Sequence, residues 1–281
     1  QLCRQKVSEF MKQYAESQSG KNKNNCTCGA DVVKLGVIPT PAVAYLTVQQ
    51  QAAAGIVIPA LKKKGIRIGT HIRRLGGVDD RTFEDVNADV DSLHTRFPVL
   101  DENVKEAMME CILTAKADGD SVGGVLETVV VGMPAGVGEP WFDTFESQLA
   151  HILFSVPAVK GVEFGDGFAL ADKKGSEAND GLRYENGKVV AISNHGGGIG
   201  GGITSGMPVV FRCAVKPTPS IAKQQQTVDV VNECNADLQI AGRHDPAIVH
   251  RARIVIDAVT AIAVYDLLAT RFGTDYFAKE V

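Results

Sequence analysis

Two hydrophobic periods take turns along this chain. Near the start, Cys3, Val7, Phe10, Met11 and Tyr14 fall on one face of a helix over residues 1–17, and the polar run SQSGKNKNNCTC after it predicts a loop or linker. A helical run is expected from Thr47 through Ala52, Ala53, Ala54 and Ile56, with Pro59 ending or kinking it because a proline ring crowds the carbonyl four residues back. Ile66, Ile68, Thr70 and Ile72 then alternate with Arg67, Gly69 and His71, the pattern of a half-buried strand with His71 on its wet face. The acidic loop that follows (Asp79, Asp80, Glu84, Asp85) is read as solvated. Next comes the cleanest helix: Asp101 can cap it, Val104, Ala107, Met108, Cys111, Ile112 and Ala115 repeat on its inner face, and Gly119 can stop it.

Residues 121–131 and 159–164 predict strands, with a helix between them whose Asp143 and Glu146 have capping-box spacing and whose Phe145, Leu149, Ile152 and Leu153 face inward. Asn186-Gly187 between short apolar runs is a hairpin signal. Val209, Val210, Phe211, Cys213 and Val215 predict a further strand, and the polar stretch 223–241 holds only a short one at 238–240. Asp245 as N-cap and Pro246 as first residue open a last helix over 247–269, apolar around most of its surface and therefore central. Strands and helices follow in mixed order without strict alternation. That predicts an α+β fold of antiparallel sheets and helices, not a doubly wound parallel sheet.

The 281 residues leave room for a substantial core. A net charge of −4 argues against a general nucleic-acid binder, since phosphate-backbone affinity needs clustered Lys and Arg. No apolar run reaches membrane-span length without charge and no secretory signal is visible, so a cytoplasmic location away from membranes is expected. Cys3, Cys26, Cys28, Cys111, Cys213 and Cys234 lack the spacing of a metal site and read as reduced thiols, with no metal expected. The chain begins at Gln1, which fits a fragment or processed product.

The chemistry concentrates in SNHGGGIGGGITSGMPVVFRCAVKPTPS, residues 193–220. Glycines this dense let backbone pass close to a flat or anionic ligand. The strand then ends in Lys216-Pro217-Thr218-Pro219-Ser220, which offers a cation, rigid turns and hydroxyl donors suited to a phosphate. Arg243 adds a planar fork, and the start of the last helix adds N–H groups and a positive dipole end. Asp245 has two readings, a helix cap or a chemical group.

Taken together, GDSVGG (119–124), GMPAGVGEPWFD (132–143), SVPAVKGVEFGDGF (155–168), GSEAND (175–180), GGGITSGMP (200–208), KPTPSI (216–221), TVD (227–229) and GRHDP (242–246) resemble the chorismate synthase family in order and spacing. The resemblance covers residues 50–281 and leaves 1–49 as a divergent lead segment. It implies a β-α-β sandwich of antiparallel sheets around central helices, incomplete at its amino-terminal end. It also implies conversion of 5-enolpyruvylshikimate 3-phosphate to chorismate, an anti-1,4-elimination of phosphate that needs reduced FMN without net redox change. The flavin would lie against Pro157, Ala158, Gly201, Lys216, Pro217, Thr218, Pro219, Ser220 and Arg243, with Arg243 also holding substrate and Asp245 assisting removal of the C6 hydrogen. A homotetramer is implied as well. Two family segments, Gly-Glu-Ser-His-Gly and Arg-Pro-Gly-His, each supplying a general-acid histidine, have no counterpart in these 281 residues. A non-catalytic relative that keeps flavin or phosphate affinity, or only oligomer contacts, is therefore the alternative.

Overall fold

The computed structural model describes residues 55–278 apart from 94 and 186, so the helix expected over 1–17, the linker after it and the Thr47–Ala54 run lie outside the described residues. Helix α1 covers residues 55–63 and runs on past Pro59, which therefore does not end it; the carbonyl that the ring approaches belongs to Gly55, and Pro59 itself is exposed. Strands β1 (Arg67–Leu75) and β2 (Val78–Asp79) follow, then helices α2 (Val86–Ser92) and α3 (Lys105–Ala117). Asp101 caps as predicted, but on a short 3-10 turn, Glu102–Val104, that leads into α3. Next come β3 (Gly124–Val131), α4 (Phe145–Phe154), β4 (Val159–Phe164), α5 (Gly175–Ala178) and the hairpin β5–β6 (Leu182–Glu185, Lys188–Ala191). The chain closes with β7 (Ile199–Gly200), β8 (Ile203–Thr204), β9 (Val209–Val215), β10 (Gln225–Asp229), β11 (Cys234–Leu238) and α6 (Val249–Phe272). No helix among the described residues is long and apolar enough to cross a membrane.

One five-stranded sheet, in the order β2-β1-β3-β9-β4, organises this α+β fold, and each of its pairings is antiparallel. Its inner face carries Ile72, Leu126 and Cys213 side by side and buries them against α6 and α4. From α6 come Ile256, Val259, Val264 and Leu268, and from α4 Leu149 and Leu153, all fully buried. Each such side chain stabilises the fold by about 1.5–3 kcal/mol, and this is why the long final helix is central as its apolar circumference predicts.

The outer face is where the expectation fails. His71, read as a surface residue, is fully buried. The register sets His71 opposite Glu127, Glu127 opposite Arg212, and Arg212 opposite Glu163, a polar row running across four strands. His71 Nδ1 lies 2.9 Å from Asp80 Oδ2 and Nε2 lies 3.0 Å from Glu127 Oε2, while Phe83 stands edge-on to the ring. Arg212 reaches Glu163 at 2.6 Å and Glu127 at 3.4 Å. Asp80, expected in solvent, is buried too, and accepts the Leu100 and Asp101 N–H groups besides facing His71. Alternation shows that a strand has two faces. It does not show that α2 and the loop before it cover the second one, with Val90 and Phe83 packed on Val129 and Val131.

Three smaller expectations also shift. Thr144, not Asp143, caps α4 through Ser147 N–H, and Asp143 instead accepts from Gln148. The polar stretch after residue 223 folds into the β10–β11 hairpin, because Gln225–Asp229 and Cys234–Leu238 pair along their whole length. Helix α6 begins at Val249 with Ile248 as its cap residue, and Asp245 keeps only a long 3.4 Å contact to Ala247 N–H. The Pro246 carbonyl is taken by Val122 N–H at 2.8 Å, which holds that stretch outside the helix.

Burial pulls the His71 pKa down, but hydrogen bonds and charge from Asp80 and Glu127 outweigh it and hold the imidazolium above its ordinary 6.5. The stability it contributes is complete below pH 6.5 and is lost as pH rises through the raised value. Urea unfolding between about pH 6 and pH 9 should therefore show wild-type stability declining, with that decline absent in His71→Gln. His71→Ala, which leaves two buried carboxylates facing one another, should cost on the order of 3 kcal/mol at neutral pH.

Candidate functional site

Three chain segments meet where β9 ends. Lys216 N–H, the first donor past β9, bonds the Ala158 carbonyl at 2.9 Å, which ties the end of β9 to the entry of β4. Ser121 Oγ donates to the Thr218 carbonyl at 2.7 Å, and Val122 N–H to Pro246, so the entry of β3 is clamped between the 216–220 turn and the approach to α6. Ser220 Oγ stands 3.2 Å from His244 Nδ1, which closes the ring of segments. Gly123 is the position where this assembly admits no side chain: a Cβ there would come 2.5 Å from the Val215 carbonyl oxygen.

The predicted residues Pro157, Ala158, Lys216, Pro217, Thr218, Pro219, Ser220, Arg243 and Asp245 thus belong to segments that converge on one end of the sheet. Lys216 and Arg243 are exposed and able to meet a ligand. Thr218 Oγ1 is buried with no hydrogen-bond partner, a hydroxyl left for something the protein does not supply. Ala158 has φ +74°, a left-handed conformation rare outside glycine, which costs about 1–3 kcal/mol and occurs most often where a site requires it. Gly201 is placed elsewhere. It turns the β7–β8 hairpin, whose Gly202 carbonyl accepts Phe145 N–H at the start of α4, whereas Ala158 follows the end of α4. At a strand rise of about 3.3 Å per residue, the length of β9 sets the two ends of the sheet roughly 20 Å apart.

One residue of the site was not read from the sequence. Arg251, in the first turn of α6, directs its guanidinium onto the Asp245 carboxylate. Burial depresses the Arg251 pKa, and the nearby charge of Arg243 depresses it further. One guanidinium therefore pairs with the carboxylate, and a second lies close enough for its charge to act on the first. No periodic signal marks Arg251, since Asp245 lies outside the helix and six residues is not the spacing of helical neighbours.

A separate cluster lies toward the other end of β4. Asp166 there meets both Lys173 and His195, with His195 Nδ1 at 2.7 Å, and these two partners lower its pKa against burial that acts the other way. Asp180 fastens the glycine-rich loop through Ser193 Oγ, His195 N–H and Gly196 N–H. This cluster holds the glycine-rich loop to β4. Among the described residues no group of His, Cys, Asp and Glu is arranged to hold a metal ion.

The resemblance names reduced FMN, and the convergent segments suit a flavin phosphate: Lys216 and Arg243 supply charge and Thr218 an uncommitted hydroxyl, with Pro157 exposed and Ala158 half-buried beside them. The family model described as chorismate synthase matches residues 41–269. The chain is 42% identical over 222 residues to the chorismate synthase of Methanosarcina acetivorans, covering 78% of this chain and 60% of that one. With the chorismate synthase of Pyrococcus abyssi it shares 44% over 229 residues, covering 80% and 63%. It therefore spans about three fifths of the length of these relatives. A solved structure described as the crystal structure of chorismate synthase superposes with TM-score 0.69 at 28% identity, covering 84% of this chain and 66% of that one. In sequence motifs, family match and fold alike, the chain belongs to the chorismate synthase family.

Proposed function

We propose that this chain carries the flavin and phosphate half of a chorismate synthase site, and that its reaction is the anti-1,4-elimination of phosphate from 5-enolpyruvylshikimate 3-phosphate. The observation that carries the reading is the meeting of the 216–220 turn with the approach to α6 at the entry of β3, where Arg251 pairs with Asp245 and the Thr218 hydroxyl is buried with no partner. Lys216 and Arg243 offer point charge and planar fork to phosphate oxygens, and their attraction grows as negative charge builds on a departing phosphate. Arg251 pairs with the Asp245 carboxylate, which can assist removal of a substrate proton. Lys216, Arg243 and Thr218 would hold reduced FMN by its phosphate, and the flavin would there supply electron density without net oxidation. The wider assignment comes with this proposal: a lyase of aromatic amino acid biosynthesis, cytoplasmic, assembled as a homotetramer.

A second reading has its own observation. None of His71, His94, His151, His195, His244 or His250 stands in either histidine segment that the family uses for general acids. A general acid contributes about a hundred- to ten-thousand-fold, so a relative without both would bind flavin and phosphate yet turn over little.

Titration of FMN by its fluorescence, followed by an anaerobic assay of chorismate formation with reduced FMN, separates these outcomes. Lys216→Met and Arg243→Met should each weaken FMN binding about tenfold or more, as expected for hydrogen bonds to a charged group. Absence of FMN binding by the wild-type chain sinks the proposal. FMN binding without chorismate formation moves the assignment to the second reading. If turnover is present, Asp245→Asn should reduce it about a hundredfold or more while affecting FMN affinity much less.

A further inference from the structure

His244 lies inside the clamp but has no role in the reading above. Its Nε2 is 3.0 Å from the Ile240 carbonyl oxygen, an atom that only accepts, so Nε2 carries a proton. In the neutral ring Nδ1 is then a bare lone pair, and the group 3.2 Å away, the Ser220 hydroxyl, is the donor. Both residues are half-buried, and the 3.2 Å contact joins the turn after β9 to the approach to α6.

We propose that His244 is a positioning residue that takes the Ser220 proton and so presents Ser220 to the ligand as a hydrogen-bond acceptor. This rests on the flavin-phosphate reading and divides the work of the site. Lys216, Arg243 and the unpartnered Thr218 hydroxyl are the donors that suit phosphate oxygens. Ser220 does not serve the phosphate. It meets a ligand N–H or O–H, the kind of group that a flavin ring or its polyol chain carries and a bare phosphoryl oxygen lacks. His244 thereby helps select a ligand that combines an anionic end with a donor.

The ring state is tested first, on the ligand-free chain. Long-range proton–nitrogen NMR of the His244 imidazole at about pH 7.5 should show the neutral Nε2–H form. An Nδ1–H tautomer or a doubly protonated ring overturns the proposal, whatever FMN does. Binding is tested next, with FMN and riboflavin as probes and thermal melts to confirm folding. His244→Gln keeps a donor toward Ile240 but loses the acceptor, and should weaken FMN about tenfold; Ser220→Ala should do the same. The double variant should be no weaker than either single one, because both remove one interaction. His244→Asn, whose amide oxygen can stand in for Nδ1, should bind within about threefold of wild type. The loss in Ser220→Ala should persist with riboflavin, which has no phosphate. Additive losses, or a Ser220→Ala loss that disappears with riboflavin, overturn the proposal. A wild-type chain that binds neither flavin sinks the flavin reading and the ligand half of this one together, while the NMR result still decides how Ser220 is oriented.

Discussion

Strand β9 is hydrogen-bonded on both sides, to β3 and to β4, and that double pairing determines where Lys216 can be. An edge strand could leave the sheet in many directions. A central antiparallel strand ends between the entries of its two neighbours, since they run the other way. The entry of β3 is Ser121–Gly124 and the entry of β4 follows Ala158, so the turn at Lys216–Ser220 meets both at once. Helix α6 completes the arrangement by packing on β1 and α4, which brings its amino-terminal approach, Arg243–Ile248, to the same end. The polar residues gather because the apolar ones on the inner face leave those segments no other place.

The outer-face row gives the same sheet a second constraint. His71, Glu127, Arg212 and Glu163 alternate in charge when the imidazole is protonated, each opposite its partner in register. A one-residue slip of β3 or β9 would turn Glu127 or Arg212 into the apolar inner face, where an unpaired charge costs several kcal/mol. A slip of the same kind would carry Lys216 away from Ala158. The buried charges thus oppose a misregistration that would dismantle the site, even where their net contribution to stability is small.

Much of this was legible in the sequence, for identifiable reasons. The α+β class, the strands at 159–164 and 209–215 and the centrality of the last helix follow from period alone, because burial on one face imprints a local pattern. Residues 216–220 and 243 stood out because lysine, arginine and proline at element ends are visible without tertiary information. Three features were not legible. His71 is buried by the acidic loop and helix that follow it and fold back over the outer face, which alternation alone does not reveal. Arg251 gains its meaning only from the position of Asp245. Gly201 looks like part of the Lys216 cluster in a linear reading, yet a fully extended strand stands between them, and extension is the quantity that sequence proximity hides.

Asp245 shows how local and chemical duties separate. Asp before Pro before an apolar helix is a strong capping signal, and a carboxylate spent on its own helix would have little left for a ligand. The cap is not made. Val122 N–H takes the Pro246 carbonyl, the helix starts at Val249, and the 3.4 Å contact to Ala247 is too long to satisfy a carboxylate. Freed from the helix end, Asp245 turns to Arg251 six residues further on, and Arg243 stands close enough for its charge to act on Arg251. A carboxylate paired with a side chain, rather than with backbone N–H groups, can be exchanged for another anion, because a phosphate competes for a guanidinium on similar chemical terms. The entry of β3, by occupying the Pro246 carbonyl, thus keeps the helix from starting at Asp245 and leaves its carboxylate to Arg251.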